Sequence, residues 1–124
     1  MEITLADREA EIMEVLWDSG PSTVAEVKDR VADELAYTTV LTILRNLEGK
    51  GYVTHDADGK AHRYSPLIER DAARRSALQA MAAKFFKGST SMLLTHLVAD
   101  EKLSGDDVKR LRGMLSKRAR KARS

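Results

Sequence analysis

Residues 37–65, YTTVLTILRNLEGKGYVTHDADGKAHRYS, decide the predicted fold of this chain. In the first half of this stretch, apolar residues recur at intervals of three and four, which is the spacing of one face of an α-helix. They are Val40, Ile43, Leu44 and Leu47. Gly51 is a typical helix stop, and after it the pattern changes to the alternation of β-strands. The stretch therefore predicts a helix followed directly by a β-hairpin.

The centre of the predicted hairpin is Asp58-Gly59, a strong signal for a two-residue loop. A loop of these two residues fixes which residues lie opposite each other on the two strands. The expected pairs are Ala57 with Lys60, His55 with His62, Val53 with Tyr64 and, on the other face, Thr54 with Arg63.

Two further helices are predicted before residue 37. Asp7 is the expected N-cap of the first helix, and the segment 18–21 ends it. Its apolar stripe is Ile12, Met13, Leu16 and Trp17. Thr23 and Glu26 form a capping box for the second helix. Its stripe of Val24, Val27, Val31 and Leu35 continues almost to the third helix. Three helices and a hairpin within residues 1–66 predict a winged helix-turn-helix domain.

The exposed face of the third helix is short and polar, as a surface that enters the major groove of DNA should be. Thr, Arg and Asn can pair with base edges there, whereas the alternative is an ordinary solvated helix face. Leu41 could touch a thymine methyl or pack partly on the second helix. The hairpin cations could position the phosphate backbone or serve only solubility. The predicted DNA-contacting residues are Thr38, Thr39, Leu41, Thr42, Arg45, Asn46, Lys50, Lys60, His62 and Arg63.

Residues 67–116 contain three more amphipathic helices, one closed by Gly88 and one opened by a Ser104–Asp107 capping box. Such short helices can hardly bury their apolar stripes within one chain, so we expect them to pack on a second copy. The predicted dimerisation residues are Leu78, Met81, Phe85, Leu93, Leu97, Val108, Leu111 and Leu115. Residues 117–124 form a basic tail, which could be disordered, touch DNA phosphates or bind the acidic helices of a partner.

The 124-residue chain contains no cysteine, which excludes disulfide bonds, thiol catalysis and cysteine-based metal sites. His55 and His62 lie on one face of the hairpin, but two ligands without a third seldom bind a metal, so neither metal nor cofactor is predicted. No catalytic triad, phosphate-binding loop or paired-carboxylate cleft is visible, so an enzyme is not expected. Without a signal peptide or an apolar run of roughly 20 residues, we expect no membrane insertion and a cytoplasmic location.

The net charge of +2 conceals an uneven distribution. Residues 1–36 carry three basic and ten acidic side chains, residues 37–65 carry four and three, and residues 66–124 carry fourteen and six. A DNA-binding surface should be basic where it meets phosphate, yet the first two helices are acidic. The charge pattern therefore also allows an alternative, a winged-helix protein-interaction module that does not read DNA.

Three stretches together resemble the penicillinase-repressor family, which includes the BlaI/MecI regulators of β-lactam resistance and the CopY copper-responsive repressors. They are EIMEVLW at residues 11–17, AYTTVLTIL with KGY at residues 36–44 and 50–52, and HRYSPL at residues 62–67. The resemblance covers nearly the whole chain. It implies a homodimer with an N-terminal winged helix, a C-terminal helical dimerisation region, and binding to a palindromic operator that blocks transcription.

The sequence departs from the family pattern in two places. The copper-responsive branch senses metal through C-terminal cysteines, which this chain lacks. The β-lactam branch implies a sensor protease system as a further partner, which triggers cleavage at an Asn-Phe bond. Alignment on Leu103-Ser104 places that bond at His96-Leu97, so the expected Asn-Phe sequence is missing.

Overall fold

The computed structural model describes residues 2–100 and 102–123 and confirms the predicted class, mainly α with a winged helix-turn-helix. Its elements are α1 (Asp7–Ser19), β1 (Ser22–Thr23), α2 (Val24–Arg30), α3 (Tyr37–Gly49), β2 (Val53–Asp58), β3 (Ala61–Pro66), α4 (Arg70–Phe85), α5 (Thr90–Asp100) and α6 (Gly105–Arg123). The chain divides into a first unit that ends at Ala80 and a second unit that begins at Met81. No helix in the described residues is long and apolar enough to cross a membrane.

The core of the first unit lies between α1, α2, α3 and the sheet. On α3, the predicted stripe residues Val40, Leu44 and Leu47 have no exposed surface, and Ile43 is partly buried against them. The core residues of the other elements are Ile3, Ile12, Met13, Leu16, Val24, Val27, Val31, Tyr52, Val53, Tyr64 and Ala73. The apolar spacing along α3 therefore directs one face inward and leaves the opposite face to solvent.

The start of α1 differs from the prediction, because the N-cap is Ala6 and not Asp7. Ala6 has no side-chain acceptor, but its backbone N–H donates to Glu9 Oε1 at 2.9 Å. Glu9 is buried, and this bond satisfies a backbone donor that the helix cannot satisfy itself. The helix begins one residue early because the core holds Glu9 in place to receive that bond.

The capping box of α2 is confirmed. The Glu26 N–H donates to Thr23 Oγ1 at 3.2 Å, and the Thr23 N–H donates to Glu26 Oε1 at 2.9 Å. The predicted length is wrong, since α2 ends at Arg30 and Val31 is already extended. Val31 and Leu35 still pack on the core from the connecting loop. An apolar spacing can therefore continue past a helix end when the loop itself is packed.

α3 ends as predicted from Gly51, which has φ +83°. The N–H groups of Gly51 and Tyr52 donate to the carbonyls of Glu48 and Leu47, both at 3.0 Å, which is a Schellman motif. Gly adopts this left-handed conformation without the steric cost of a Cβ atom. The motif reverses the chain within two residues and starts β2 directly below α3.

The hairpin exists as predicted, but its register is shifted by two residues. His55 lies opposite Tyr64 and Asp58 opposite Ala61, so the loop is Gly59-Lys60. Gly59 has φ +63°, which suits a type II′ turn with Gly at its first central position. The predicted loop, Asp58-Gly59 in a type I′ turn, would have needed a positive φ at both of its residues. Because a shift of two preserves the faces, His55 and His62 still lie on the same side of the hairpin.

A third strand, β1, is absent from the prediction. Ser22 pairs with Tyr64 and Thr23 with Arg63, which gives the sheet order β1-β3-β2. A two-residue strand has no periodicity that a sequence could display. It nevertheless gives β3 neighbours on both sides, and the side chain of Tyr64 is fully buried there.

The first half of α4 belongs to the first unit, whereas the sequence had assigned it to the C-terminal region 67–116. Ser76 Oγ accepts a bond from the Ile3 N–H at 2.8 Å and donates to the Ile3 carbonyl at 3.1 Å. Before α4, the Trp17 indole N–H donates to the Ile68 carbonyl at 2.9 Å. These bonds attach the entry of α4 to α1 and to the N-terminal segment.

In the second unit, Ser104 and Asp107 form the predicted capping box of α6, with bonds of 3.0 and 3.3 Å. The helix then continues without a break to Arg123, so residues 117–123 of the predicted tail are its last turns. Leu93 and Ala82 are the buried apolar side chains among the described residues of this unit. Of the remaining stripe residues of α5 and α6, Leu111 is partly buried. The others are exposed, and they are Met92, Leu97, Val98, Val108 and Leu115.

Candidate nucleic-acid interface

The outward face of α3 carries five of the predicted DNA-contacting residues, and all are exposed. They are Thr38, Thr39, Thr42, Arg45 and Asn46. They lie opposite Val40, Leu44 and Leu47, whose burial fixes the rotation of the helix. Because the core determines this rotation, the polar face is presented as a rigid surface of hydroxyl, amide and guanidinium groups. Such groups match the donors, acceptors and methyls of major-groove base edges.

Thr42 is more constrained than its exposure suggests. Its hydroxyl donates to the Thr38 carbonyl at 2.9 Å, one helical turn earlier. Thr42 is exposed, and a hydroxyl that donates one bond can still accept another, so the residue can accept a bond or contact a thymine methyl. The intrahelical bond also fixes the rotamer, and this lowers the entropy cost of any contact.

Leu41 is half-buried and packs against the core of the first unit. This position favours the packing alternative that the sequence left open over contact with a thymine methyl. Tyr37, by contrast, is half-exposed at the first residue of α3 and is not among the predicted DNA contacts. Its position, an aromatic residue at the start of a polar helix face, was the feature of the sequence that could have indicated a role in this surface. The phenol adds a further donor and acceptor to this end of the surface.

Beside α3, the hairpin presents Lys60 and His62 to solvent. The His62 ring stacks on His55 with centroids 4.4 Å apart and planes 15° apart. His55 Nδ1 lies 2.6 Å from Glu48 Oε2, so the hairpin is bonded to the last turn of α3. Glu48, His55 and His62 thus link the wing to the helix. The described residues contain no group of three or more His, Cys, Asp or Glu that could hold a metal ion.

Tyr64 lies under this linkage, with its ring 5.3 Å from that of His55. Burial raises the pKa of the Tyr64 phenol, and the charge of Glu48 raises it further, while Arg45 opposes them. The raised pKa keeps the phenol neutral at neutral pH. Its role is to anchor β3 in the core of the first unit.

Lys50 has a different position from the one predicted for a DNA contact. Its ammonium lies 2.7 Å from Oε1 of the buried Glu9. Burial raises the pKa of Glu9, but the bonds from Lys50 and Ala6 outweigh it, so the net pKa is lowered and the carboxylate is charged. Lys50 therefore holds the end of α3 against the start of α1 and has its charge already neutralised.

Arg63 is also engaged within the protein. Its Nη1 donates to Glu26 Oε1 at 3.0 Å and to the Pro21 carbonyl at 3.2 Å. The Thr23 N–H and side chain lower the pKa of Glu26, and the charge of Arg63 lowers it further. The guanidinium ties the sheet to the start of α2. Of the predicted contacts, Lys50 and Arg63 thus stabilise the fold while part of each side chain stays accessible, and the α3 face, Lys60 and His62 are exposed.

A polar recognition helix held beside an exposed hairpin defines this chain as a winged-helix protein of the DNA-binding type. Comparison with known families agrees, since residues 5–117 match the family model described as Penicillinase repressor. The chain belongs to that family, which confirms the resemblance noted in the sequence. Members of this family are transcriptional repressors of the BlaI/MecI type.

Among similar proteins, the transcriptional regulator BlaI of Mycobacterium tuberculosis is 35% identical over 116 residues, which cover 90% of this chain and 83% of BlaI. The methicillin resistance regulatory protein MecI of Staphylococcus aureus is 23% identical over 116 residues, covering 92% of this chain and 94% of MecI. The monomeric form of Bacillus licheniformis BlaI, solved in complex with the blaP half-operator, has a TM-score of 0.50 and 26% identity. It covers 57% of this chain and 89% of that structure.

Proposed function

We propose that this protein binds a palindromic operator in double-stranded DNA as a homodimer and represses transcription in the cytoplasm. The observation that carries the proposal is the rigid polar face of α3, with Thr38, Thr42 and Arg45 exposed beside the wing. The BlaI structure bound to a half-operator supports the same use of this fold. We assign base contact to the α3 face and phosphate positioning to Lys60 and His62.

The role of Arg45 can be tested by fluorescence anisotropy with promoter DNA of the neighbouring genes. Arg45→Ala should weaken specific binding by about 1–3 kcal/mol, because a guanidinium that pairs with a base edge contributes on that scale. The matched control is Arg74→Ala, an exposed arginine on α4 in the same unit. Equal affinity of Arg45→Ala and the wild type would remove Arg45 from the reading surface.

The alternative function, a winged-helix module that binds protein and not DNA, rests on the acidic charge of residues 1–36. A gel-shift salt series with the same promoter DNA separates the two. Phosphate contacts release counterions, so DNA binding should weaken steeply as salt rises. Absence of any salt-sensitive shift at micromolar protein would favour the interaction module.

We assign dimerisation to the second unit, because its helices leave large apolar side chains exposed. Those in the described residues are Met81, Phe85, Met92, Leu94, Leu97, Val98, Leu103, Val108, Met114 and Leu115. Phe85 and Leu97 expose 69% and 44% of their surface, which water disfavours. Leu78, another of the predicted dimerisation residues, belongs to the first unit and is 48% exposed. Leu93 is already buried within its own chain, so we assign it to packing inside the second unit and not to direct contact with the partner.

A charged substitution tests this interface in the full chain. Leu97→Glu should convert the dimer to monomer in sedimentation velocity, since a buried unpaired carboxylate is costly. Leu67→Glu provides the control, because Leu67 is 59% exposed in the first unit. A dimer that withstands Leu97→Glu, or one that Leu67→Glu disrupts, contradicts the assignment. Two readers in a dimer should occupy half-sites about 34 Å apart or a multiple of it.

Control by a sensor protease system remains a prediction from the family resemblance. The aligned bond His96-Leu97 lies inside α5, and the His96 imidazole lies 3.8 Å from Asp100 and edge-on to Phe86. Proteases bind extended substrates, so cleavage here needs local unwinding of α5. Incubation of the purified chain with and without a co-expressed sensor, followed by mass spectrometry, locates any cut.

A further inference from the structure

The charge of α6 is the strongest feature that the proposed function leaves unused. After the acidic first turn at Asp106 and Asp107, the helix carries eight basic residues and no acidic residue as far as Arg123. They are Lys109, Arg110, Arg112, Lys117, Arg118, Arg120, Lys121 and Arg123. Those from Lys117 onward were predicted to form a tail. Because α6 is continuous to Arg123, the helix holds all eight in fixed positions relative to one another.

Five of these cations share one side of α6. At about 100° per residue, they fall within an arc of roughly 120°, opposite the apolar stripe of Val108, Leu111 and Leu115. The five are Lys109, Arg110, Lys117, Arg120 and Lys121, and all are exposed. We call them the basic face. From Lys109 to Lys121 the face extends about 18 Å along the helix.

The helix dipole accounts for only part of this arrangement. Cations in the last turn, such as Arg120 and Lys121, stabilise the negative end of the dipole. Lys109 and Arg110 lie in the second turn, too far from the negative end of the dipole to be stabilised by it. Arg110 lies 3.4 Å from Asp107, but Asp107 also caps the helix through Ser104. A row of cations that spans the whole helix therefore indicates a polyanionic partner.

Two cations of the first unit are already engaged by carboxylates, and its N-terminal part is acidic. Lys50 is bound to Glu9 and Arg63 to Glu26, and residues 1–36 carry ten acidic side chains. One DNA strand presents a phosphate about every 3.4 Å along the axis, so cations distributed over about 18 Å of helix can meet more than one phosphate. We propose that the basic face of α6 binds the phosphate backbone of duplex DNA without sequence preference. This inference rests on the proposed DNA binding.

The test removes three charges from the basic face with Lys109→Gln, Lys117→Gln and Lys121→Gln together. Gln is a good helix former, and circular dichroism checks that α6 remains intact. The matched control replaces three exposed lysines elsewhere in the second unit, Lys84, Lys87 and Lys102, with Gln. Both triple variants have the same net charge. A third variant with Arg at positions 109, 117 and 121 keeps the charge of the face.

Each protein is titrated by anisotropy over a salt series with two duplexes, the neighbouring promoter and a scrambled sequence. Loss of three phosphate contacts should reduce the slope of log K against log salt by about 2.7 per chain. Affinity should fall by the same factor on both duplexes, since phosphates carry no sequence information. The control triple and the Arg variant should keep the wild-type slope.

Three outcomes overturn the proposal. The basic-face triple could keep the wild-type slope, the control triple could change it equally, or the triple could lose binding to anionic lipid vesicles while its DNA binding stays intact. The Arg45→Ala variant distinguishes this failure from failure of the proposed function. If the wild type prefers the promoter and Arg45→Ala loses that preference, a normal basic-face triple refutes the α6 role alone. If the wild type binds neither duplex, both fail.

Discussion

The two units of this chain differ in how completely each one buries its own apolar residues. In the first unit, α1, α2, α3 and the sheet enclose a continuous core that includes Ile12, Leu44 and Tyr64. In the second unit, Leu93 and Ala82 are buried, while Phe85, Met114 and most other large apolar side chains among the described residues are exposed. The first unit therefore buries its apolar residues as an independent domain does. The second unit leaves its apolar residues exposed, as one side of an interface does before association.

This difference teaches how such a chain divides its tasks. A reading surface needs a rigid orientation, and the first unit supplies it because α3 is fixed by its own core. Association of two copies needs apolar surface that becomes buried only when the copies meet, and the second unit keeps such surface exposed. Each of the following predictions tests one side of the contrast.

The largest effect is expected in the core of the first unit. Leu44→Ala should lower the free energy of unfolding by about 2–5 kcal/mol, because it removes a fully buried side chain and leaves a cavity. Denaturant titration followed by the fluorescence of Trp17, the single tryptophan, reports this unit. Leu67→Ala, an exposed control, should change stability by less than about 0.5 kcal/mol. Equal losses of stability in Leu44→Ala and Leu67→Ala would contradict the burial of Leu44 in a packed core.

The ion pair between the buried Glu9 and the partly exposed Lys50 should come next. Glu9→Gln should cost about 1–3 kcal/mol, because the charge-assisted bonds to Lys50 and Ala6 are weakened. Since the folded pKa of Glu9 lies below the ordinary 4.5, its stabilisation is complete above pH 4.5 and is lost as pH falls through the folded value. The wild type and the variant should therefore converge in acid. Glu11→Gln, in an exposed pair with Arg8, should cost less than about 1 kcal/mol.

The dependence of unfolding on protein concentration should separate the two units. If the second unit is stable only as a dimer, each tenfold dilution should lower its apparent stability by about 1.4 kcal/mol. Far-UV circular dichroism reports the helices of both units, including α5 and α6, whereas Trp17 fluorescence reports the first unit. The part of the dichroism change that the fluorescence change does not share should shift with concentration, and the fluorescence transition should not. Two transitions that are both independent of concentration would contradict the contrast.

The smallest effects are expected from two matching capping boxes. Thr23→Ala should cost about 1 kcal/mol in the first unit, because it removes the acceptor of the Glu26 N–H. Ser104→Ala should cost about 0.5 kcal/mol, since the equivalent bond to the Asp107 N–H is exposed. Trp17 fluorescence should detect the first change and not the second, whereas circular dichroism should detect both. A Ser104→Ala effect seen by Trp17 would show that the units unfold together.

Much of the candidate site could be predicted from residues 37–65 because its signals are local. The three-four spacing of Val40, Leu44 and Leu47 fixed which face of α3 is buried, and therefore which residues are exposed. Lys50 and Arg63 could not be assigned in this way. Their partners, Glu9 and Glu26, lie far away in sequence, so the spacing of charges within the stretch contains no record of these bonds.

The sequence by itself determined the helices, the two capping boxes, the helix stop at Gly51 and the family, since each depends on neighbours within a few residues or on direct similarity. Only the tertiary structure decided the loop at Gly59-Lys60, the strand Ser22–Thr23 and the early end of α2. These features depend on long-range packing, in which β3 pairs with two strands around the buried Tyr64. The same holds for the contrast between the units, because exposure of an apolar residue is a property of the folded chain.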